Sequence, residues 1–580
     1  MRAVLHYHER RMPLREVPTP RPVPPSTIAI ALLVAAVLSF GLGSAPLMDP
    51  DEGRNAEVAR EMAATGDWAV PHLNGLPYLD KPVLFFAAAA ACIRTFGANA
   101  AAARLPSLLF ALALAAFTWW AARRLWGHPA AEVGALAAAS SPLAVGFSRA
   151  VIFDSALAFF VSCATFCFLL AVEGETSTAA RRWAAISWLA MGLGVLTKGP
   201  VAVVLPLLVA VPFALWRRAA RRLFPAIGPV LLVAVVAPWI VAMSLRVPGF
   251  LTYALVTETM ARVTTPQLNR TAPFWYFLPI VFAGTLPWGL ALPAAVRSRI
   301  VLRDGRRALD PRTVFLLLWL VLPLVFFSLS QSKRSQYVLP LVVPVALLVA
   351  AGVGAGRLPA VRALAAAEGA TGALLLAAGT LPVVVGRLEP QLRLAVPGSM
   401  RAVAASLVVG CIGALVIARW RPRAVVSSAM LLAVPMLAMP TIGHPLVAAI
   451  AEARSSLAIV AALPGPPEAF HLVSVGAYSP SLSFYMRQNT VMFTDDGEPL
   501  RSNYWFRNFS PAVYGRAPQF RPLAEWPGEL ERCPAGSVFV TRADRPDYRS
   551  ALAARLPLLR ENVRIAAYGP CPAFTPAGGP

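Results

Sequence analysis

Apolar runs of membrane-spanning length recur along the first three-quarters of the chain, separated by short segments rich in arginine. A hydrocarbon core about 30 Å thick requires roughly 20 apolar residues in helical form. Runs near residues 27–47, 104–122, 129–148, 155–172, 183–196, 200–216, 224–244, 273–296, 313–330, 337–355, 369–386, 402–420 and 424–442 predict thirteen spanning helices. A further run, Pro82 to Gly97, is short and follows a polar loop directly, which predicts a re-entrant or interface-lying helix. Thr27 to Leu47 ends near Gly43-Ser44-Ala45, as a cleavable leader would, but Pro46 and the long tail before it predict a retained first span. From about Gly443 the pattern changes. Strand-like stretches at His471 to Val475, Phe484 to Met486 and Ser537 to Thr541, with a helix-like stretch at Asp547 to Arg555, predict a small α/β domain.

Composition narrows the class. The 580 residues are 57% hydrophobic and only 14% charged, against about 25% charge in ordinary soluble domains. A soluble globular protein is excluded, as are a disordered chain and a disulfide scaffold, since six cysteines are sparse at this length. The net charge of +23 would suggest nucleic acid if it were concentrated in a patch. Instead the arginines sit in short loops, at Arg123-Arg124, Arg181-Arg182, Arg217 to Arg222, Arg297 to Arg312 and Arg419 to Arg423. With thirteen spans and a cytoplasmic N-terminus, all five clusters fall inside, as the positive-inside rule requires. The expected organisation is a flexible cytoplasmic tail over 1–26, a transmembrane domain over 27–442 with a long outer loop at 48–103, and an extracytoplasmic α/β domain over 443–580. His6 and His8 in the tail lack neighbours to complete a metal site. Cys163 and Cys167 read as small buried hydrophobes, and whether Cys533 and Cys571 are bridged is open.

The non-generic polar residues gather on the outer face. The first outer loop holds Asp49, Asp51 and Glu52, then Gly66-Asp-Trp68, then Leu73-Asn-Gly-Leu-Pro-Tyr-Leu-Asp-Lys-Pro82. Asp51 or Glu52 starts a short helix that Gly66 ends. Capping accounts for one acid, not for three mutually repelling acids leaving a span together. Asp154 follows Arg149 at another boundary on the same face, and Lys81, Lys198, Arg262, Lys333 and Arg334 supply cations there. Singly, each cation reads as a snorkelling anchor. Together, carboxylates and cations at one membrane surface suit a substrate that is part lipid and part phosphate.

At these residues the chain resembles the lipid A aminoarabinose transferases, relatives of the protein O-mannosyltransferases with the GT-C fold. The resemblance rests on the Asp51-Glu-Gly-Arg-Asn and Leu73 to Pro82 stretches, Leu196-Thr-Lys-Gly-Pro200, Glu258 to Arg262, Phe274-Trp-Tyr-Phe-Leu-Pro279, Leu286-Pro-Trp288, and Phe327-Ser-Leu-Ser-Gln-Ser-Lys333 running into Tyr337-Val-Leu-Pro340. It implies an α-helical polytopic GT-C protein in which Asp51 is the principal catalytic carboxylate and Asp154 a second acid. Lys81 would contact the donor phosphate, with Tyr78, Arg262 and Tyr337 around it, and Arg54, Lys198 and Lys333 would line the substrate site. The family usually has glutamate before the loop lysine, where this chain has Asp80, and its aminoarabinose members tend to carry histidine near Thr257.

The resemblance further implies an inverting glycosyltransferase of the inner membrane, moving a sugar from a polyprenyl phosphate to a lipid such as lipid A, a glycan or a protein. No cofactor is implied, no ligand spacing demands a metal, and a divalent ion near the acids is left open. Membrane lipids, not nucleic acid, are the expected surroundings. A secondary transporter is the rival class, but transporters hold coupling charges near the bilayer midplane, and the predicted spans are almost free of charge.

Overall fold

The computed structural model describes residues 23–261, 272–303, 306–353, 358–380, 395–421 and 424–572. His6, His8, Arg262 and the end of the 369–386 run lie outside them. Among the described residues, seven helices are long and apolar enough to cross a membrane: Ala100–Trp126, Asp154–Glu173, Ala220–Arg246, Pro311–Leu329, Ser335–Gly352, Val396–Trp420 and Val425–Ile442. Ala130–Ser140 with Pro142–Ser148, bent by 60°, and Phe274–Gly284 with Trp288–Arg297, bent by 97°, raise the number to nine if each pair is one span. The expected count of thirteen is therefore not established. The first and sixth runs form helices of only 15 and 16 residues, Pro25–Ser39 and Val201–Trp216, about 23 Å long at 1.5 Å per residue and short of the hydrocarbon thickness. The run from Pro82 forms the 13-residue helix Leu84–Phe96, shorter still.

Burial orders these helices around one member. Asp154–Glu173 is apolar on every side and almost wholly buried, as expected of a helix ringed by others. Ala220–Arg246 instead exposes Val230, Val233, Val241 and Leu245, a face suited to lipid. Phe213 meets Phe315 edge to face at 4.9 Å, and the buried Trp288 indole N–H donates to Ser140 Oγ at 2.9 Å, tying the two bent pairs together in a setting where water offers no alternative partner.

The C-terminal region carries a six-stranded mixed sheet in the order Phe520–Arg521, Val491–Phe493, His471–Val475, Ser537–Arg542, Ile565–Tyr568, Leu558–Glu561. The first four strands run parallel and the last two pair antiparallel. The expected helix near Asp547 is present as Pro546–Ala553. Phe484 to Met486, expected as a strand, belongs instead to the helix Pro480–Met486, where Pro480 sits in the first turn and needs no N–H partner. Cys533 and Cys571 are joined in a disulfide, with Cα atoms 5.6 Å apart.

This sheet region shares a core with the first polar loop. Leu47, Met62, Phe85 and Phe153 pack in one cluster with Phe484, Met492 and Phe520. Asn74-Gly75 turns the tight hairpin His72–Pro77, both residues at positive φ (51° and 77°), as a two-residue turn of this kind requires. Asn74 Nδ2 donates to the Thr490 carbonyl at 3.0 Å, and its own Oδ1 accepts from the Thr490 amide at 2.8 Å.

Candidate functional site

The three acids that leave the first span together are separated by the fold. Asp51 opens the helix Asp51–Thr65, which Gly66 ends at φ 72°. Glu52 turns inward onto Arg104, with Nε to Oε1 at 2.7 Å. Asp49 is buried and accepts from Ser479 Oγ at 2.6 Å, Ser481 Oγ at 2.8 Å and the Ser481 amide at 3.0 Å. Burial raises its proton affinity, opposed by these bonds and by Arg564. Asp51 alone faces a cavity, held by Arg54 and Arg334, each at 2.7 Å. Burial by itself would raise the Asp51 carboxyl, but the two guanidinium groups hold it well below the usual carboxylate range.

A second acid and its cation are placed by two helix ends. Asp154 is the first residue of Asp154–Glu173, where the helix dipole favours a negative charge. Lys198 is the last residue of Ser177–Lys198, where the dipole favours a positive one, and Gly199 at φ 87° turns the chain away. The two form an ion pair, and Lys198 Nζ also lies 4.7 Å from the centroid of the Tyr337 ring. Asp154 is only 1% exposed, and its Oδ2 has no hydrogen-bond partner among the described residues.

These residues border two adjoining cavities. The polar one, about 60 Å³, is lined by Asp51, Arg54, Asn55, Tyr78, Asp80, Lys81, Asp154, Lys198, Arg334 and Tyr337. The apolar one, about 240 Å³, runs between Trp239, Ile240, Phe250, Leu251, Phe326 and Phe327. Asp80, Lys81, Lys198 and Tyr337 belong to both and mark the junction. Lys81 pairs with Glu258 at 2.5 Å and donates to the Asp80 carbonyl. Tyr78 is buried, with the Arg54 guanidinium 5.8 Å from its ring centre.

Of the residues expected at the site, seven line the polar cavity: Asp51, Arg54, Tyr78, Lys81, Asp154, Lys198 and Tyr337. Lys333 lines neither cavity. Its Nζ donates to the Ser330 carbonyl at 2.6 Å, and Arg334 beside it reaches Asp51 instead. Arg262 lies outside the described residues. Among the described residues, no group of three or more His, Cys, Asp or Glu side chains is placed to hold a metal ion.

One wall was not foreseen. The segment Arg501 to Tyr504, from the C-terminal region, closes over the first loop. Asp80 accepts from Tyr253 Oη at 2.8 Å, Ser502 Oγ at 3.1 Å and the amides of Asn503 and Tyr504 at 2.8 and 3.1 Å. Asn503 Nδ2 reaches Glu258 at 3.1 Å, and Arg54 donates to the Arg501 carbonyl at 3.0 Å. Nothing in the sequence pattern near Arg501 marks it as part of a site built some 450 residues earlier in the chain.

Comparison with known proteins bears on this arrangement. Residues 47–254 match the family model for dolichyl-phosphate-mannose-protein mannosyltransferase. The chain is similar to the undecaprenyl phosphate-alpha-4-amino-4-deoxy-L-arabinose arabinosyl transferases of Aeromonas hydrophila, 35% identical over 53% of this chain and 56% of that one, and of Yersinia enterocolitica, 33% identical over 56% and 58%. It thus spans a little over half the length of these curated relatives. The crystal structure of ArnT from Cupriavidus metallidurans bound to undecaprenyl phosphate superposes with a TM-score of 0.77 at 28% identity, covering 96% of this chain and 99% of that one. The chain has the GT-C fold of the aminoarabinose transferases. It is a multi-pass protein of the inner membrane, and the structural likeness covers 96% of the chain, against 53% and 56% for the two sequence matches.

Proposed function

We propose that the chain is an inverting glycosyltransferase that moves a sugar from a polyprenyl phosphate to an acceptor at the extracytoplasmic face. The observation that carries this reading is the junction at which Asp80, Lys81, Lys198 and Tyr337 border both an apolar channel and a charged pocket. An isoprenoid tail in the channel puts its phosphate at Lys81 and Lys198, and the sugar then lies in the polar pocket beside Asp51 and Asp154. In this reading residues 27–442 form the transferase domain, 443–580 an extracytoplasmic domain that closes the pocket, and 1–26 a cytoplasmic tail. The relatives named above are transferases that use an undecaprenyl-phosphate sugar, which supports transfer over transport.

The chemistry follows from the charges. The acceptor oxygen attacks the anomeric carbon opposite the phosphate, the bond to the phosphate oxygen breaks, and charge grows on the departing phosphate, where Lys81 and Lys198 stabilise it. Asp51, held far below the usual carboxylate range, is a weak base while both arginines grip it. Its role is to orient the acceptor and to stabilise positive charge developing on the sugar. An acceptor that is already an anion, such as a lipid phosphate, needs no base and is the best match. The test is transfer of radiolabelled sugar from a synthetic polyprenyl phosphate donor to lipid by the purified protein in proteoliposomes. Undiminished transfer by both Asp51→Asn and Lys81→Ala would overturn the assignment.

A further inference from the structure

The cations of the polar cavity fall into two sets. Lys81 and Lys198 border both cavities, whereas Arg501 lines only the polar one, with Asp51. Two further arginines are fixed to the backbone just before Asp51. Arg564 donates to the Asp49 carbonyl at 3.2 Å, and the Arg454 carbonyl accepts from the Asp49 amide at 3.0 Å. Arg454, Arg501 and Arg564 form no ion pair among the described residues. Burial and the charges of Arg501 and Arg454 hold the Arg564 guanidinium below its ordinary value, against the pull of Asp49 and Asp51. Like charges crowded at one rim repel, and an anion seated among them relieves the repulsion.

The sheet brings the same residues together. Val491–Phe493, His471–Val475 and Ser537–Arg542 run parallel, with His471–Val475 between the other two. Chain order reverses there, and in open α/β sheets ligands bind outside the carboxyl ends of the strands at such a reversal. Arg501 lies in the connection that leaves the carboxyl end of Val491–Phe493. Arg564 precedes Ile565, which pairs with Arg542 at the carboxyl end of Ser537–Arg542. Ser479 and Ser481, which hold Asp49, follow the carboxyl end of His471–Val475. In-line displacement requires the attacking and leaving oxygens on opposite sides of the anomeric carbon. With the donor phosphate at Lys81 and Lys198, the arginines stand beyond the sugar, away from the apolar channel.

We propose that Arg454, Arg501 and Arg564 bind a phosphomonoester carried by the acceptor lipid, apart from the lysines that hold the donor phosphate. The inference rests on the transferase reading above. An anionic oxygen of the acceptor phosphate forms the new bond to the anomeric carbon, and the polyprenyl phosphate leaves with the bonding pair. No proton moves, and the product is a glycosyl phosphodiester. The full-length protein in proteoliposomes is given undecaprenyl phosphate-linked 4-amino-4-deoxy-L-arabinose, the sugar named for its relatives, with lipid A or with lipid A stripped of its phosphates. Binding of undecaprenyl phosphate is measured alongside. Arg501→Gln and Arg564→Gln are each expected to raise the acceptor KM by about tenfold, with the Kd for undecaprenyl phosphate within about twofold of wild type. Arg501→Lys, which keeps the charge, is expected to retain most of the acceptor affinity. Inorganic phosphate should compete with the acceptor, and the stripped lipid should receive no sugar. An unchanged acceptor KM in both glutamine variants, equal use of the stripped lipid, or inorganic phosphate that binds without competing overturns the inference and leaves the transferase reading in place. Parallel loss of donor binding in the variants overturns it too, since the arginines would then serve the donor or the fold. Absence of transfer to either lipid by the wild-type protein overturns both.

Discussion

At the scale of the residue, neighbours with similar chemistry have different tasks because the backbone points them apart. Asp49, Asp51 and Glu52 read as one acidic cluster in the sequence, and only their partners distinguish them. Lys333 and Arg334 are equivalent by composition. Arg334 lies in extended backbone, φ −145° and ψ 142°, where successive side chains face opposite ways, so one reaches Asp51 and the other a carbonyl of its own turn. Asp51→Asn keeps the shape but removes the charge. It is expected to lower kcat by about a hundredfold or more, with the melting temperature in detergent close to wild type. Glu61 offers a separate check by pH. Burial and the adjacent Glu57 push its carboxyl up to about 8, against the bonds it accepts from the Asn74 and Gly75 amides. A carboxyl with a raised folded-state value holds its proton more tightly when folded, so it costs nothing below its unfolded value of 4.5. Its penalty grows as pH rises from there to about 8. Thermal melts across that window should show Glu61→Gln gaining stability relative to wild type as pH increases, and parallel melts would refute the burial of this group.

At the scale of the element, the clasp between Asp80 and residues 502–504 is the feature that local pattern did not announce. The helix Asp51–Thr65, its first-turn acids and its glycine stop were legible because capping and period are local properties. So were the Lys198 corner and the strands His471–Val475 and Ser537–Arg542. The clasp was not, because its halves are separated by more than 400 residues and each looks like ordinary loop. Asp80→Ala leaves two amides and two hydroxyls without their acceptor. It should release the Arg501 to Tyr504 segment, lower kcat/KM for transfer by at least about tenfold, and increase hydrogen exchange at Asn503 and Tyr504. Intact exchange protection with normal transfer would show that the clasp does not shape the pocket.

At the scale of the whole molecule, a helical membrane part and a mixed sheet meet over one polar chamber, joined by a shared apolar core and by Asp49, Asn74 and Asp80. The disulfide between Cys533 and Cys571 closes a segment of 38 residues within the sheet region. By loop-closure entropy it stabilises that region by up to about 4 kcal/mol. Dithiothreitol or Cys533→Ser is expected to lower the melting temperature while leaving the apolar channel competent to bind polyprenyl phosphate. Because each acid in the chamber is already matched by cations or hydrogen-bond donors, chelation with EDTA is expected to leave transfer unchanged, and activity restored only by added magnesium or zinc would contradict this. The grip of two arginines on Asp51 has an environmental consequence. In the orientation proposed above the site takes the acidity of the growth medium, and a carboxylate with so little appetite for protons stays anionic in surroundings sour enough to neutralise an ordinary aspartate. Any decline of the reaction in mildly acidic medium must therefore originate elsewhere than in this side chain.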